Sequence, residues 1–246
     1  MVKKRKSAVM VIAVVVASIL FVSFVQAQET KKCVKEQGGM GYSIFGNSTI
    51  DIANLNTKLE GNGYTKLPES YFCVGGGGHS IINKRWIVGG EGYTLLGDES
   101  TGADFKASTY VFQGFANIGY IIFSKKGLSV YPLLGLGGGS MKLTFSEKNA
   151  SYAFDDVLTD PKREATLTAG GFLVNLALGV DYYLKLGEDE EGHGGFLLGV
   201  RAGYTLAPSK GGWSMNGADL TGSPDFSMTG PFVRIIFGGG GFEKRD

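Results

Sequence analysis

YVFQGFANIGY, residues 110–120, splits by parity into two unlike faces. Tyr110, Phe112, Gly114, Ala116, Ile118 and Tyr120 fall on one parity, and Val111, Gln113, Phe115, Asn117 and Gly119 on the other. Successive side chains of a strand point to opposite faces. The stretch therefore reads as a strand with one apolar, aromatic-ended face and one face that carries amides. The split recurs further along. Phe172, Val174, Leu176, Leu178, Val180, Tyr182 and Leu184 oppose Gly171, Asn175, Ala177, Gly179 and Asp181. Phe196, Leu198, Val200, Ala202 and Tyr204 oppose Leu197, Gly199, Arg201 and Gly203. Val233, Ile235 and Phe237 oppose Phe232 and Arg234. Glu91 likewise sits inside an apolar, glycine-rich run.

Working outward from these runs, the alternation and glycine-broken apolar stretches give eight strand spans: 38–46, 70–82, 84–96, 107–123, 127–143, 164–185, 193–206 and 227–240. Within Ile50–Leu59 the spacing of Ile52, Leu55 and Leu59 fits one face of a short helix inside a loop. The connections after strands 1, 3, 5 and 7 are long (47–69, 97–106, 144–163, 207–226). Those after strands 2, 4 and 6 are short: Asn83, Ser124-Lys125-Lys126 and the acidic turn 186–192. An even strand count with all long loops at one end is the pattern of membrane barrels. The expected fold is all-β: an eight-stranded antiparallel up-and-down transmembrane β-barrel.

In such a barrel the apolar face meets lipid and the other face lines the lumen. A basic residue on the lipid face costs about 2–4 kcal/mol at the midplane. Several misplaced charges would consume much of a typical stability of about 5–15 kcal/mol. Glu91, Asp181, Arg201 and Arg234 are therefore expected in the lumen. An eight-stranded lumen is just filled by side chains, and buried charges must pair. The expectation is a Glu91/Asp181–Arg201/Arg234 ion cluster, joined by Lys142, Gln113, Asn117 and Asn175, that fills and fixes the barrel; the competing reading is a gated ion path.

Residues 1–27 read as a secretory signal peptide. Lys3, Lys4, Arg5 and Lys6 precede an apolar run from Ala8 to Val25, and Val25-Gln26-Ala27 ends it. The competing reading is an uncleaved N-terminal membrane anchor. Residues 28–37 then form a short N-terminal periplasmic segment and 38–242 the barrel. Cleavage removes four basic residues and no acidic one. The 24 basic and 23 acidic residues of the whole chain thus become 20 and 23, a net charge of −3. No basic patch or stripe for nucleic acid appears. All 40 glycines follow residue 27 and no G-X-Y period exists, which excludes collagen. Cys33 follows Thr30-Lys31-Lys32, not a lipid-attachment context. Export permits a disulfide, and pairing of Cys33 with Cys73 stays open.

On this architecture and on its final strand, Thr229-Gly230-Pro231-Phe232-Val233-Arg234-Ile235-Ile236-Phe237, the chain resembles the small outer-membrane barrel proteins of Gram-negative bacteria, the OmpA-like, OmpX-like and OmpW-like group. The resemblance implies an outer-membrane location among lipid and lipopolysaccharide, a monomer, and no cofactor. It also implies an assembly signal for the barrel-assembly machinery in Val233, Ile235 and Phe237. The chain departs from the usual pattern because Gly238–Asp246 follow Phe237, with Phe242 as a second candidate.

An enzyme is not expected. Lipid-A-modifying barrels use His with Ser or Asp near the outer rim, whereas His79 and His193 fall at the short-turn end. Gly75–Gly78 lacks the Gly-Lys-Ser/Thr and the strand-to-helix switch of a phosphate loop, and no Cys/His spacing suits zinc. Asp155-Asp156 and Glu188-Asp189-Glu190-Glu191 read as solvated turns and loops, the competing reading being weak binding of a divalent cation. Three functions remain: a structural or surface-interaction protein acting through loops 47–69, 144–163 and 207–226; a narrow channel for small or apolar solutes; and a secreted lipocalin-like carrier, which needs the reverse facing.

Overall fold

The structure is a computed structural model that describes residues 35–97, 99–148, 153–159, 164–188, 192–209 and 211–245. The leader, Cys33 and Asp189-Glu190-Glu191 lie outside the described residues.

Eight long strands close a ring: β1 (Lys35–Thr49), β2 (Ser70–Ile82), β3 (Trp86–Leu96), β5 (Phe105–Tyr120), β7 (Leu128–Glu147), β8 (Ala165–Glu188), β9 (Gly192–Leu206) and β12 (Gly230–Arg245). Each pairs antiparallel with the next, and β12 pairs back onto β1. Short strands extend the hairpins: β4 (Ser100–Thr101) on β5, β6 (Phe123–Lys125) on β7, and β10 (Trp213–Met215) with β11 (Ala218–Asp219) beside β8. Among the described residues two helices lie in connections, α1 (Ala53–Gly61) and α2 (Phe154–Thr159).

The register is staggered. Following paired residues once round the ring from Gly38 of β1 leads through Ile81, Ile87, Gly119, Leu133, Ala177, Gly203 and Phe232 back to β1 at Ser48, ten residues further on. Such a stagger requires the strands to tilt, typically by about 35–45°. A row of neighbouring residues therefore climbs the wall as it goes round.

The expected spans are close to those found, most ends differing by no more than four residues, and three differences bear on the fold. The ring strand expected over 107–123 ends at Tyr120; Phe123–Lys125 instead turns back along β7 through a tight loop at Lys126-Gly127, where φ is 52° and 85°. Positive φ at both central residues is the hairpin turn whose twist matches the strands. The same geometry occurs at Asn83-Lys84, φ 52° and 59°, closed by the Arg85 N–H donating to the Ile82 carbonyl at 3.2 Å. The first strand begins at Lys35, inside the segment expected to precede the barrel. The last strand runs on to Arg245, eight residues past Phe237, and pairs with β1 throughout.

The two parities face as read. Phe112, Phe172, Leu198, Val233, Ile235 and Phe237 are among the exposed apolar residues of the outer wall. Arg201 and Arg234 are 2% and 1% exposed, on the inner face. Phe242, the second candidate for a terminal signal, points inward and stacks on His193 with ring centroids 5.0 Å apart.

At the long-loop end the lumen is capped. The short helix anticipated around Ile52, Leu55 and Leu59 forms as α1, and all three residues are buried. They join one apolar cluster with Leu67, Tyr71, Trp213, Phe226 and Met228. Polar ties hold the cap. Asn56 donates to the Leu67 carbonyl at 3.0 Å and accepts from its N–H at 2.9 Å. Asp51 pairs with Ser227, and the Lys58 ammonium donates to the Gly222 carbonyl, joining the β1–β2 loop to the β9–β12 loop.

Candidate functional site

Glu91 on β3, Asp181 on β8, Arg201 on β9 and Arg234 on β12 all point into the lumen and are buried. Arg201 and Arg234 are direct cross-strand neighbours in the β9–β12 register. Like charges so placed repel. The Glu91 carboxylate reaches them from across the barrel. Its Oε2 accepts from Arg201 Nη1 at 2.7 Å, and its Oε1 lies 3.4 Å from Arg234 Nη1. One carboxylate thus spans two guanidinium groups with one oxygen for each.

Asp181 joins through a tyrosine. The Tyr131 hydroxyl donates to Asp181 Oδ2 at 2.8 Å and accepts from Arg201 Nε at 3.1 Å. Arg201 Nη1 also donates to the Tyr42 hydroxyl at 3.0 Å. Aromatic faces cover the cations. The Arg201 guanidinium lies 4.7 Å from the Tyr42 ring centre, and that of Arg234 lies 3.9 Å from Tyr93 and 3.7 Å from Phe232. Cation–π contacts of this kind contribute about 2 kcal/mol when desolvated. With two acids and two bases, the formal charge of the cluster is zero.

Glycines make room for it. A Cβ on Gly199 would sit 2.1 Å from Asp181 Oδ1, and one on Gly179 would sit 2.4 Å from the Tyr131 ring. Neither side chain could hold its position beside alanine.

The other expected members divide. Gln113, Asn117 and Asn175 are buried on the inner face. Oδ1 and Nδ2 of Asn117, Oδ1 of Asn175 and Oε1 of Gln113 have no hydrogen-bond partner, so these amides line the lumen without bonding the charges through those atoms. Lys142 is not in the lumen. It is exposed on the outer face between inward Met141 and Leu143, opposite Tyr110 and Thr168. Sequence reasoning passed over Tyr42, Tyr93 and Tyr131, and placed Phe232 on the face of Arg234 without joining it to the cluster. Tyr93 and Phe232 were within reach of it, because each lies two positions from a cluster charge and so shares its face.

His79 is buried on the inner wall near the short-turn end, tilted against Tyr42 at 5.4 Å. His193 packs with Tyr183 and Phe242 at the same end. Cys73 is a buried free thiol level with Gly46 of β1, eleven residues up that strand from Lys35. Among the described residues no group of three or more His, Cys, Asp or Glu is placed to hold a metal ion. No described helix is long and apolar enough to cross a membrane, which leaves crossing by strands open.

A closed eight-stranded ring with an apolar outer wall and charges inside is the architecture of a transmembrane β-barrel. The sequence matches no family model and no curated protein. The solved structures to which the chain is similar include the following three. Ail, the attachment invasion locus protein of Yersinia pestis, has 13% identity and TM-score 0.40 over 85% of this chain and 97% of its own. The outer membrane protein OprG from Pseudomonas aeruginosa has 15% identity and TM-score 0.41 over 87% and 97%. The outer membrane protease OmpT from Escherichia coli has 10% identity and TM-score 0.30 over 89% and 99%.

Proposed function

We propose that this chain is an exported outer-membrane barrel of a Gram-negative cell envelope, with a structural or surface-interaction role and a lumen closed by its ion cluster. The observation that carries the reading is the Glu91 bridge between Arg201 and Arg234, with contacts of 2.7 and 3.4 Å in the middle of the lumen. A charge-neutral, aromatic-covered cluster fills the bore where a conducting barrel needs an open polar path. The apolar cap over the long-loop end supports the same reading. The long loops then carry whatever the protein contacts outside, since loops on a rigid scaffold are where binding resides.

Lipid and lipopolysaccharide surround the outer wall in this reading. The barrel-assembly machinery reads the outward row Val233, Ile235 and Phe237, and the barrel acts as a monomer. The chain is not an enzyme in this reading, which is supported by the place of His79 and His193 at the short-turn end, away from the outer rim. A lipocalin-like carrier is disfavoured by the apolar outer wall.

Two measurements test the proposal. The mature chain should fractionate with outer membranes and show heat-modifiable gel mobility; a chain soluble without detergent would sink the membrane reading. In planar bilayers the folded barrel should give no discrete conductance; reproducible unitary steps would replace the closed-lumen reading with a narrow channel.

A further inference from the structure

One inner row of the barrel alternates polar side chains with glycine across five neighbouring strands and ends on a polar residue of a sixth. His79 of β2 pairs with Gly89 of β3, Gly89 with Asn117 of β5, Asn117 with Gly135 of β7, Gly135 with Asn175 of β8, and Asn175 with Thr205 of β9. All four side chains of this row are buried: His79, Asn117, Asn175 and Thr205 are 6%, 5%, 2% and 3% exposed. The row crosses tilted strands, so it climbs. His79 lies three positions before Ile82, where β2 ends at the short-turn rim, and Thr205 lies one position before Leu206, where β9 ends at the long-loop rim.

Along it, polar atoms have no partner in the protein: Nδ1 of His79, Oδ1 and Nδ2 of Asn117, and Oδ1 of Asn175. A buried polar group left unsatisfied costs about 1–3 kcal/mol, and native interiors satisfy such groups with protein or ordered water. The amides converge over a glycine. The point where a Gly135 Cβ would stand lies 2.5 Å from Asn117 Oδ1 and 3.1 Å from the Asn175 Cβ. No side chain of β7 separates them.

We propose that this row is a water-binding belt, a file of ordered waters running up the inner wall from His79 to Thr205 beneath the apolar cap. The chemistry of the orphaned atoms selects water. A cation takes acceptors alone and an anion takes donors alone. The belt offers Asn117 Nδ2 as a donor beside the Oδ1 acceptors of Asn117 and Asn175, and water serves both. A bound water needs two to four polar partners, which neighbouring amides of the belt supply together. At its lower end the belt abuts the ion cluster, because His79 packs on Tyr42, whose hydroxyl accepts from Arg201. The lumen is thus wet along one wall, closed above by the apolar cap and tied by charge at the belt's lower end.

The test is magnetisation transfer from water in the folded, isotope-labelled barrel in detergent micelles. The side-chain amides of Asn117 and Asn175 should show cross-peaks to long-lived water, while the inward methyl groups of Leu133 and Leu173 show none. Amides as silent as those methyl groups would overturn the proposal. A second readout is the denaturant midpoint of N117L/N175L. A hydrated belt loses its water contacts and the midpoint falls. A midpoint equal to or above the parent's means that the amides stood dry and orphaned, which also overturns it. If the double variant does not fold, the first readout on the native chain decides alone.

Discussion

Arg201 and Arg234 stand directly opposite one another on paired strands, and the carboxylate of Glu91 on the far side of the barrel lies against both. The nearest neighbours in the sheet are thus electrostatic opponents, reconciled by a residue more than a hundred positions away in the chain. The cluster is a cross-barrel tie that no hairpin makes alone.

Replacing Glu91 with Gln leaves two buried guanidinium groups facing each other. Removing one partner of a buried pair costs about 3–5 kcal/mol. E91Q is expected to unfold at clearly lower denaturant in detergent, followed by gel mobility. The loss for E91Q combined with R201Q should be smaller than the sum of the single losses, as expected for residues in one network.

Tyr131 links two members that do not otherwise meet. Y131F keeps the ring and removes the hydroxyl that donates to Asp181 and accepts from Arg201. The expected cost is about 1–3 kcal/mol, read as a shift in the unfolding midpoint. An unchanged midpoint would mean that Asp181 finds another donor.

Gly199 lies against Asp181. A methyl group there meets Oδ1 at 2.1 Å, so G199A forces the carboxylate away at about 1–3 kcal/mol. G41A is the control: nothing lies within 4 Å of the added carbon, and its midpoint should stay close to that of the parent.

Lys142 should behave as a bystander. K142A touches no member of the cluster and is expected to change stability by no more than about 0.5 kcal/mol. A loss comparable with that of E91Q would contradict its outward placement.

The cap offers a local readout. L59A removes buried contacts of α1 with the apolar cluster, and such truncations typically cost about 2–5 kcal/mol. The cost falls on the loop, so the measurement is the rate of trypsin cleavage after Lys58, which should rise while the barrel stays folded.

The ring strands and their facing were legible because period-two patterning and loop alternation are local properties of the chain. The identities of contacts across the lumen were not, because they depend on a ten-residue stagger that no single strand encodes. Tyr42 and Tyr131 meet Arg201 only after the ring has closed with that offset. Lys142 shows a different limit. A basic side chain on a lipid face is expensive at the midplane but costs only about 0–1 kcal/mol near an interface. Charge alone therefore did not identify a lumen residue so far along β7. The turn-back at Lys126-Gly127 was hidden because Phe123 continues an apolar run that the backbone abandons at Tyr120.

The β1–β12 seam has its own consequence. Below Ser43 and Phe237 the β12 edge is bare, Gly238–Gly241, and faces Tyr42, Gly41, Met40 and Gly39 of β1. An edge without side chains specifies register weakly, and these two edges come from opposite ends of the barrel's sequence. Gly46 faces Arg234 in the upper half of the seam, where a one-residue slip would swing that guanidinium from the lumen to the outside. The charge that ties the finished barrel therefore also penalises a slipped β1–β12 register.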